Sequence, residues 1–189
     1  MINFKNKKIL VTGASGGIGR EIVKKFVSLE GSVVATGTNQ ERLEKLKKDY
    51  PKINVIKFDI SDHNKIEEFV DSASTNLDGL DILINNGAVI DPITALKEIR
   101  GPELEKSIKI NFTAPTMLIR YCWLSLKAKK GKVLNVLSGA ATNAIEGWTA
   151  YCATKAALHM INQQTHIEGK KDFIKSIGIS PGMVDTKMQ

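Results

Sequence analysis

Tyr151 and Lys155 stand four residues apart in Tyr151-Cys152-Ala153-Thr154-Lys155. On a helix that spacing puts both on one face and within mutual reach. An ammonium beside a phenol stabilises the phenolate, so the tyrosine pKa is expected to fall from about 10 toward a working pH, where the residue serves as acid or base. The same pair is common on ordinary surface helices, which is the competing reading. Ser138 closes the apolar run Lys132–Leu137. A hydroxyl at the carboxyl end of a parallel strand points into the crevice where such sheets bind ligands, although a turn serine before Gly139 looks the same. Asn111 lies four residues before Pro115. Proline lacks an N–H and crowds the carbonyl four residues back. The Asn111 carbonyl is therefore expected to leave the helix ladder and be free for a water, in a helix that kinks whether or not it is functional.

A second centre of chemistry is Thr12-Gly13-Ala14-Ser15-Gly16-Gly17-Ile18-Gly19. Glycines between a strand and a helix let the backbone turn sharply, approach a pyrophosphate and pack the helix on the strand. The free N–H groups of the helix start favour an anion. Gly13, Ser15, Gly16, Gly17, Ile18 and Gly19 are thus candidate dinucleotide contacts, with a plain tight connection as the alternative.

These residues need a scaffold, and the remaining pattern supplies one. Lys8–Thr12, Ser32–Thr36, Ile53–Phe58, Asp81–Ile84, Lys132–Leu137 and Phe173–Ile179 read as strands. Between them, Ile18, Ile22, Val23, Phe26 and Val27, then the charged Glu41–Lys48, then Ile66, Phe69, Val70 and Ala73, recur at helical spacing. Near-continuous apolar strands separated by helices predict right-handed crossovers and an α/β, doubly wound parallel sheet buried on both faces. No linker or repeat interrupts it, so residues 1–189 read as one domain.

Composition agrees. A chain of 189 residues with 42% hydrophobic and 25% charged residues suits one domain, able to bury about 70% of its unfolded surface. Two cysteines, Cys122 and Cys152, form no disulfide framework, and no run nears the about 20 apolar residues of a membrane helix. The expectation is a soluble cytoplasmic protein without a signal peptide or membrane partner. The net charge of +7 comes from 27 basic residues of which only four are Arg. Its scattered lysines fall at helix ends and turns, which argues against nucleic acid. His63, His159 and His166 are dispersed and suggest no metal site.

The spacing of Gly13, Gly17 and Gly19 resembles the TGxxxGxG turn of the short-chain dehydrogenase/reductase family, a Rossmann-like fold. Further marks of that family follow in order. Ser138 precedes Tyr151 by thirteen residues, the family's separation. Asn111 sits in the family's asparagine-bearing helix, where it holds a water chain leading to the lysine. Asp59-Ile60 resembles the pair that flanks the adenine, and Asn85-Asn86-Gly87-Ala88 resembles NNAG with its last two residues exchanged, which moves the glycine's freedom one position. Pro181-Gly182-Met183-Val184-Asp185-Thr186 resembles PGxVxT, which implies that Pro181, Gly182, Val184 and Thr186 line the nicotinamide.

The resemblance implies that Asn111, Ser138, Tyr151 and Lys155 are the catalytic set. Ser138 would bond the substrate carbonyl, Tyr151 give the proton, and Lys155 tune Tyr151 and hold the nicotinamide ribose. Asn86 and Gly87 join the cofactor set, and Trp148 is either a substrate wall or a core aromatic. The second strand ends in Thr38 and Asn39, neutral where an NAD site places an acid. That favours NADP(H) over NAD(H), with Arg42 close by, although Gly16 stands where many NADP-using relatives carry a base. The stretches 146–155 and 180–189 look most like sepiapterin and benzil reductases, and the second strand looks equally like 3-oxoacyl-carrier-protein reductases. The reading is an NADP(H)-dependent reductase of a small ketone or diketone, acting as a homodimer or homotetramer. The oligomer would form through the helices of Asn111 and Tyr151, with Cys122 and Trp123 as interface or core. The alternatives are an NAD-dependent alcohol or sugar dehydrogenase, or a non-catalytic dinucleotide-binding protein. Measured against the family's pattern, Gln189 falls before the usual covering segment, C-terminal helix and last strand, so the domain is expected to lack them or the chain to continue.

Overall fold

The six predicted strands form one parallel sheet because each is apolar enough to be covered on both sides. In a computed structural model that describes residues 4–182 and 184, they are β1 (Lys8–Val11), β2 (Ser32–Gly37), β3 (Asn54–Lys57), β4 (Ile82–Asn85), β5 (Lys132–Val136) and β6 (Lys175–Ile179). Their order is β3-β2-β1-β4-β5-β6. Leu10 of β1 registers with Val34 of β2 and with Leu83 of β4. The chain reverses its direction of travel between β1 and β4, and the crevice at that switch point is where such sheets take ligands.

The helices are α1 (Gly17–Ser28), α2 (Gln40–Asp49), α3 (Ile66–Leu77), α4 (Gly101–Ile108), α5 (Ala114–Lys129) and α6 (Thr149–Gly169). Successive strand residues face opposite layers. Ile9, Val11, Val33, Ala35, Ile82 and Ile84 pack with Val23 and Leu46 under α1 and α2. Leu10, Val34, Leu83 and Val133 pack with Phe69, Ala73, Leu118 and Leu126 under α3 and α5. No described helix is long and apolar enough to cross a membrane.

Three local outcomes refine the reading. The sixth strand begins at Lys175 rather than Phe173, because Phe173 takes a left-handed φ of 58° at the end of a 3-10 turn. The expected break around Asn111 takes the form of one π-helical turn, Lys109–Thr113, joining α4 to α5. Cys122 is fully buried in the core, which removes it from any interface. Its neighbour Trp123 is half-buried and donates from Nε1 to Asp172 at 2.7 Å.

Candidate active site

At the carboxyl edge of β1 the chain takes the turn that its glycines permit. Gly13 has φ +60°, and a Cβ there would lie 2.7 Å from the Gly87 Cα. At Gly19 an added Cβ would overlap the Gly13 carbonyl oxygen, so α1 meets the turn backbone directly. Gly16, the residue before α1, faces open space, and the first turn of α1 carries no acidic residue. This is a cradle of bare backbone beside a helix start, and it fits a dinucleotide phosphate.

The turn is clamped from across the switch point. Asn86 donates from Nδ2 to the carbonyls of Thr12 at 2.9 Å and Gly13 at 3.1 Å. The Thr12 hydroxyl accepts from the N–H groups of Asn86 and Gly87, both at 3.0 Å, and donates to the Ile84 carbonyl. The Asn86 side chain is thereby engaged in shaping the turn. Gly87 has no left-handed φ. What it supplies is room, since a Cβ there would lie 3.1 Å from Ile60 Cδ1 and 3.3 Å from the Gly13 nitrogen. The exchange in Asn85-Asn86-Gly87-Ala88 thus moves a space requirement, not conformational freedom.

The outer candidates line the same edge. Thr38 and Asn39 are exposed beyond β2. The Asn39 carboxamide accepts from the Arg42 N–H at 2.9 Å and so caps α2. Asp59 is exposed, and its carboxylate accepts from the Ser61 N–H at 2.9 Å, while Ile60 is half-buried. Ser15 packs over Gly37 at the end of β2. Pro181, Gly182 and Val184 follow β6, whereas Thr186 lies outside the described residues.

Ser138 leaves β5 in extended conformation, and its Oγ accepts from the Ala140 N–H at 3.2 Å. It lies near Tyr151 on α6, close enough to lower the pKa of that phenol. Burial raises the Tyr151 pKa above the usual phenol range, against the lowering effect of the nearby Ser138 hydroxyl, and a charge on Cys152 would raise it further. This reverses the expectation of a lowered value. Lys155 does not bond the phenol. Its Nζ donates to the Val136 carbonyl at 2.8 Å and lies 5.6 Å from the Tyr151 ring centroid. Burial pushes the lysine down to about 8. Trp148 meets the Tyr151 ring edge-on with centroids 5.7 Å apart, so it is a half-buried neighbour of the tyrosine, not a core aromatic.

Asn111 is buried in the π-turn, and its side chain works as a tie. It donates to the Val89 carbonyl at 2.7 Å and to Thr154 Oγ1 at 3.1 Å, and it accepts from the Val89 N–H at 2.9 Å. Thr154 in turn donates to the Tyr151 carbonyl at 3.0 Å. Thr12 and Thr154 are site residues that reasoning from sequence passed over. Both stood inside the quoted motifs, but the bonds that tie them to Asn111 and to Asn86 and Gly87 span 43 to 75 residues and leave no local signal.

Residues 7–189 match the family model described as short chain dehydrogenase. The chain is 31% identical to the uncharacterized oxidoreductase DltE of Bacillus subtilis, over 98% of this chain and 74% of that one. It is 30% identical to a benzil reductase ((S)-benzoin forming) of the same organism, over 95% of this chain and 75% of that one. Among solved structures, a metagenomic short-chain oxidoreductase in complex with NADP superposes with a TM-score of 0.91 at 26% identity, over 96% of this chain and 85% of that one. With the glycine cradle at the switch point and Ser138 beside Tyr151, these likenesses have one meaning: the chain belongs to the short-chain dehydrogenase/reductase family and is an oxidoreductase.

Proposed function

We propose that the protein is an NADP(H)-dependent reductase of small ketones or vicinal diketones. The observation that carries this reading is the buried Tyr151 ring beside Ser138, with its pKa raised above the ordinary phenol value by that burial. Such a tyrosine keeps its proton at neutral pH, which suits a general acid for carbonyl reduction better than a base for alcohol oxidation. Ser138 would bond the carbonyl oxygen that receives this proton. Lys155 sets a cation beside the ring, and Asn111, through Thr154, fixes the backbone that carries Tyr151. Gly13, Ser15, Gly16, Gly17, Ile18 and Gly19 would hold the pyrophosphate, Thr38, Asn39 and Arg42 the ribose end, and Asp59 and Ile60 the adenine. Asn86 and Gly87 would shape the middle of the site, with Pro181, Gly182 and Val184 near the ring. When bound, the nicotinamide supplies the hydride.

Preference for NADP(H) is supported by the neutral end of β2 and by the exposed Arg42 in the first turn of α2, and the NADP complex of a structural neighbour agrees with it. The aromatic Trp148 beside Tyr151 and the likeness to benzil reductases favour aryl-bearing substrates. Leu124 on α5 and Met160 and Ile167 on α6 are exposed, which supports self-association through those helices.

The test is oxidation of NADPH by the protein with an aryl vicinal diketone, beside NADH and beside the Tyr151→Phe variant. Turnover with NADPH that falls about 10²-fold or more in Tyr151→Phe is expected. Turnover retained in that variant sinks the assignment.

A further inference from the structure

Beneath the Tyr151–Lys155 helix runs a line of buried amides that this chemistry does not use. Asn85 Nδ2 donates to Asn135 Oδ1 at 2.9 Å, and Asn135 Nδ2 donates to Asn162 Oδ1 at 3.0 Å. Ser176 Oγ accepts from Asn135 at 3.3 Å and donates to Asn162 Oδ1 at 2.8 Å. The line crosses β4, β5 and β6 and converges on one oxygen of α6. All four residues are buried. Room for it is kept by Gly178, where a Cβ would lie 3.2 Å from Asn162 Nδ2.

Stability alone does not explain these groups. Apolar side chains of similar volume hold a helix on a sheet at least as well, and Asn85 Oδ1 is buried with no partner among the described residues. Hydrogen bonds supply what apolar contact lacks, a fixed register. Asn162 stands seven residues beyond Lys155, about 10.5 Å along the helix axis and on the same face. Asn135 immediately precedes Val136, whose carbonyl takes the Lys155 ammonium. Two consecutive residues of β5 therefore hold α6 at points two turns apart.

We propose that Asn162, gripped by Asn135 and Ser176, is a positioning residue that indexes α6 along β5 so that the Lys155 ammonium meets the Val136 carbonyl beside the Tyr151 ring. The proposal rests on the reading of Lys155 as part of the site, but the placement it asserts is measurable without turnover.

The test follows the Lys155 ammonium by NMR in the full chain labelled with ¹³C at lysine Cε, its signal identified by loss in Lys155→Met. The wild-type midpoint is expected near 8. Asn162→Leu keeps the volume and deletes the bonds. Its midpoint should rise by about one unit, a tenfold change in proton affinity, as water reaches the ammonium. Ser176→Ala removes one of the two donors to Asn162 and should raise the midpoint by less. Trp123→Phe breaks the unrelated bond to Asp172 and should lower Tm without moving it. An unmoved Lys155 midpoint in folded Asn162→Leu overturns the proposal; if that variant does not fold, an unmoved midpoint in Ser176→Ala does so. A protein inactive on carbonyls but with a shifted midpoint would sink the proposed function and leave the positioning intact.

Discussion

Asn86 and Gly13 are 73 positions apart in the chain, yet the asparagine amide donates to the glycine carbonyl at 3.1 Å. Through that bond and its companion to Thr12, β4 holds open the turn that follows β1. The phosphate cradle is therefore a property of two strands at once, and neighbouring glycines within it carry different duties.

Gly13→Ala should be damaging and Gly16→Ala mild. At Gly13 a side chain must accept φ +60° and meet the Gly87 Cα at 2.7 Å, while at Gly16 nothing lies within 4 Å. Left-handed strain alone costs about 1–2 kcal/mol, before the backbone contact is relieved. Thermal melting of the ligand-free variants should show a Tm lower by several degrees, on the order of 4 °C or more, for Gly13→Ala. Gly16→Ala should melt like the wild type. Equal melting of the two would refute the clamped-turn account.

Arg42→Ala should separate the two cofactors. Arg42 is exposed at the start of α2, just past the neutral Thr38 and Asn39. A charge-assisted bond is worth about 1.5–3 kcal/mol, so loss of one to a 2′-phosphate should weaken NADPH binding about tenfold or more. NADH has no such phosphate and should bind unchanged. Fluorescence titration of both dinucleotides reads the difference, and parallel weakening of both would remove Arg42 from the phosphate site.

What sequence made legible follows from which constraints are local. Gly13, Gly17 and Gly19 were readable because the turn needs missing side chains at fixed spacing. The strands were readable because burial on both faces demands unbroken apolar runs such as Lys8–Val11. Pro115 announced an interruption at Asn111 because a missing N–H acts within one helical turn. The Tyr151 pKa was misjudged for the opposite reason. The neighbouring lysine is visible in sequence, but the burial that raises the phenol's pKa depends on how α6 meets β5. The side-chain ties of Asn86 to the turn and of Asn111 to Thr154 likewise exist only once distant segments meet.

Asp81 should carry acid sensitivity. It stands just before β4, where its carboxylate accepts from Lys7 Nζ at 2.8 Å and from the Lys8 N–H at 2.9 Å. Burial works to raise its pKa, but the bonds from Lys7 and Lys8 prevail and hold it below the usual carboxylate value. A group whose folded pKa is depressed stabilises the protein above its unfolded pKa and loses that contribution as pH falls through the folded one. Asp81→Asn should therefore melt below wild type at neutral pH, with the gap closing below about pH 4. A gap constant down to low pH would show that the charge is not the source.

Lys155 gives the opposite sign. Its buried ammonium titrates at about 8, against about 10.5 for a free lysine. Between those values the unfolded chain binds more protons than the folded one, so stability from this group rises with pH across that window. Below pH 8 the cost of burying the charge is present in full, and above it the neutral amine relieves it progressively. Lys155→Met removes that cost while roughly keeping the side-chain volume. The variant should melt above the wild type at pH 7, with a margin that shrinks as pH is raised toward 10. Melting curves for the two proteins at matched pH measure that margin directly, and the subtraction cancels the titration of every other lysine. A margin that grows with pH would mean that the Val136 bond, and not desolvation, dominates the energetics of Lys155.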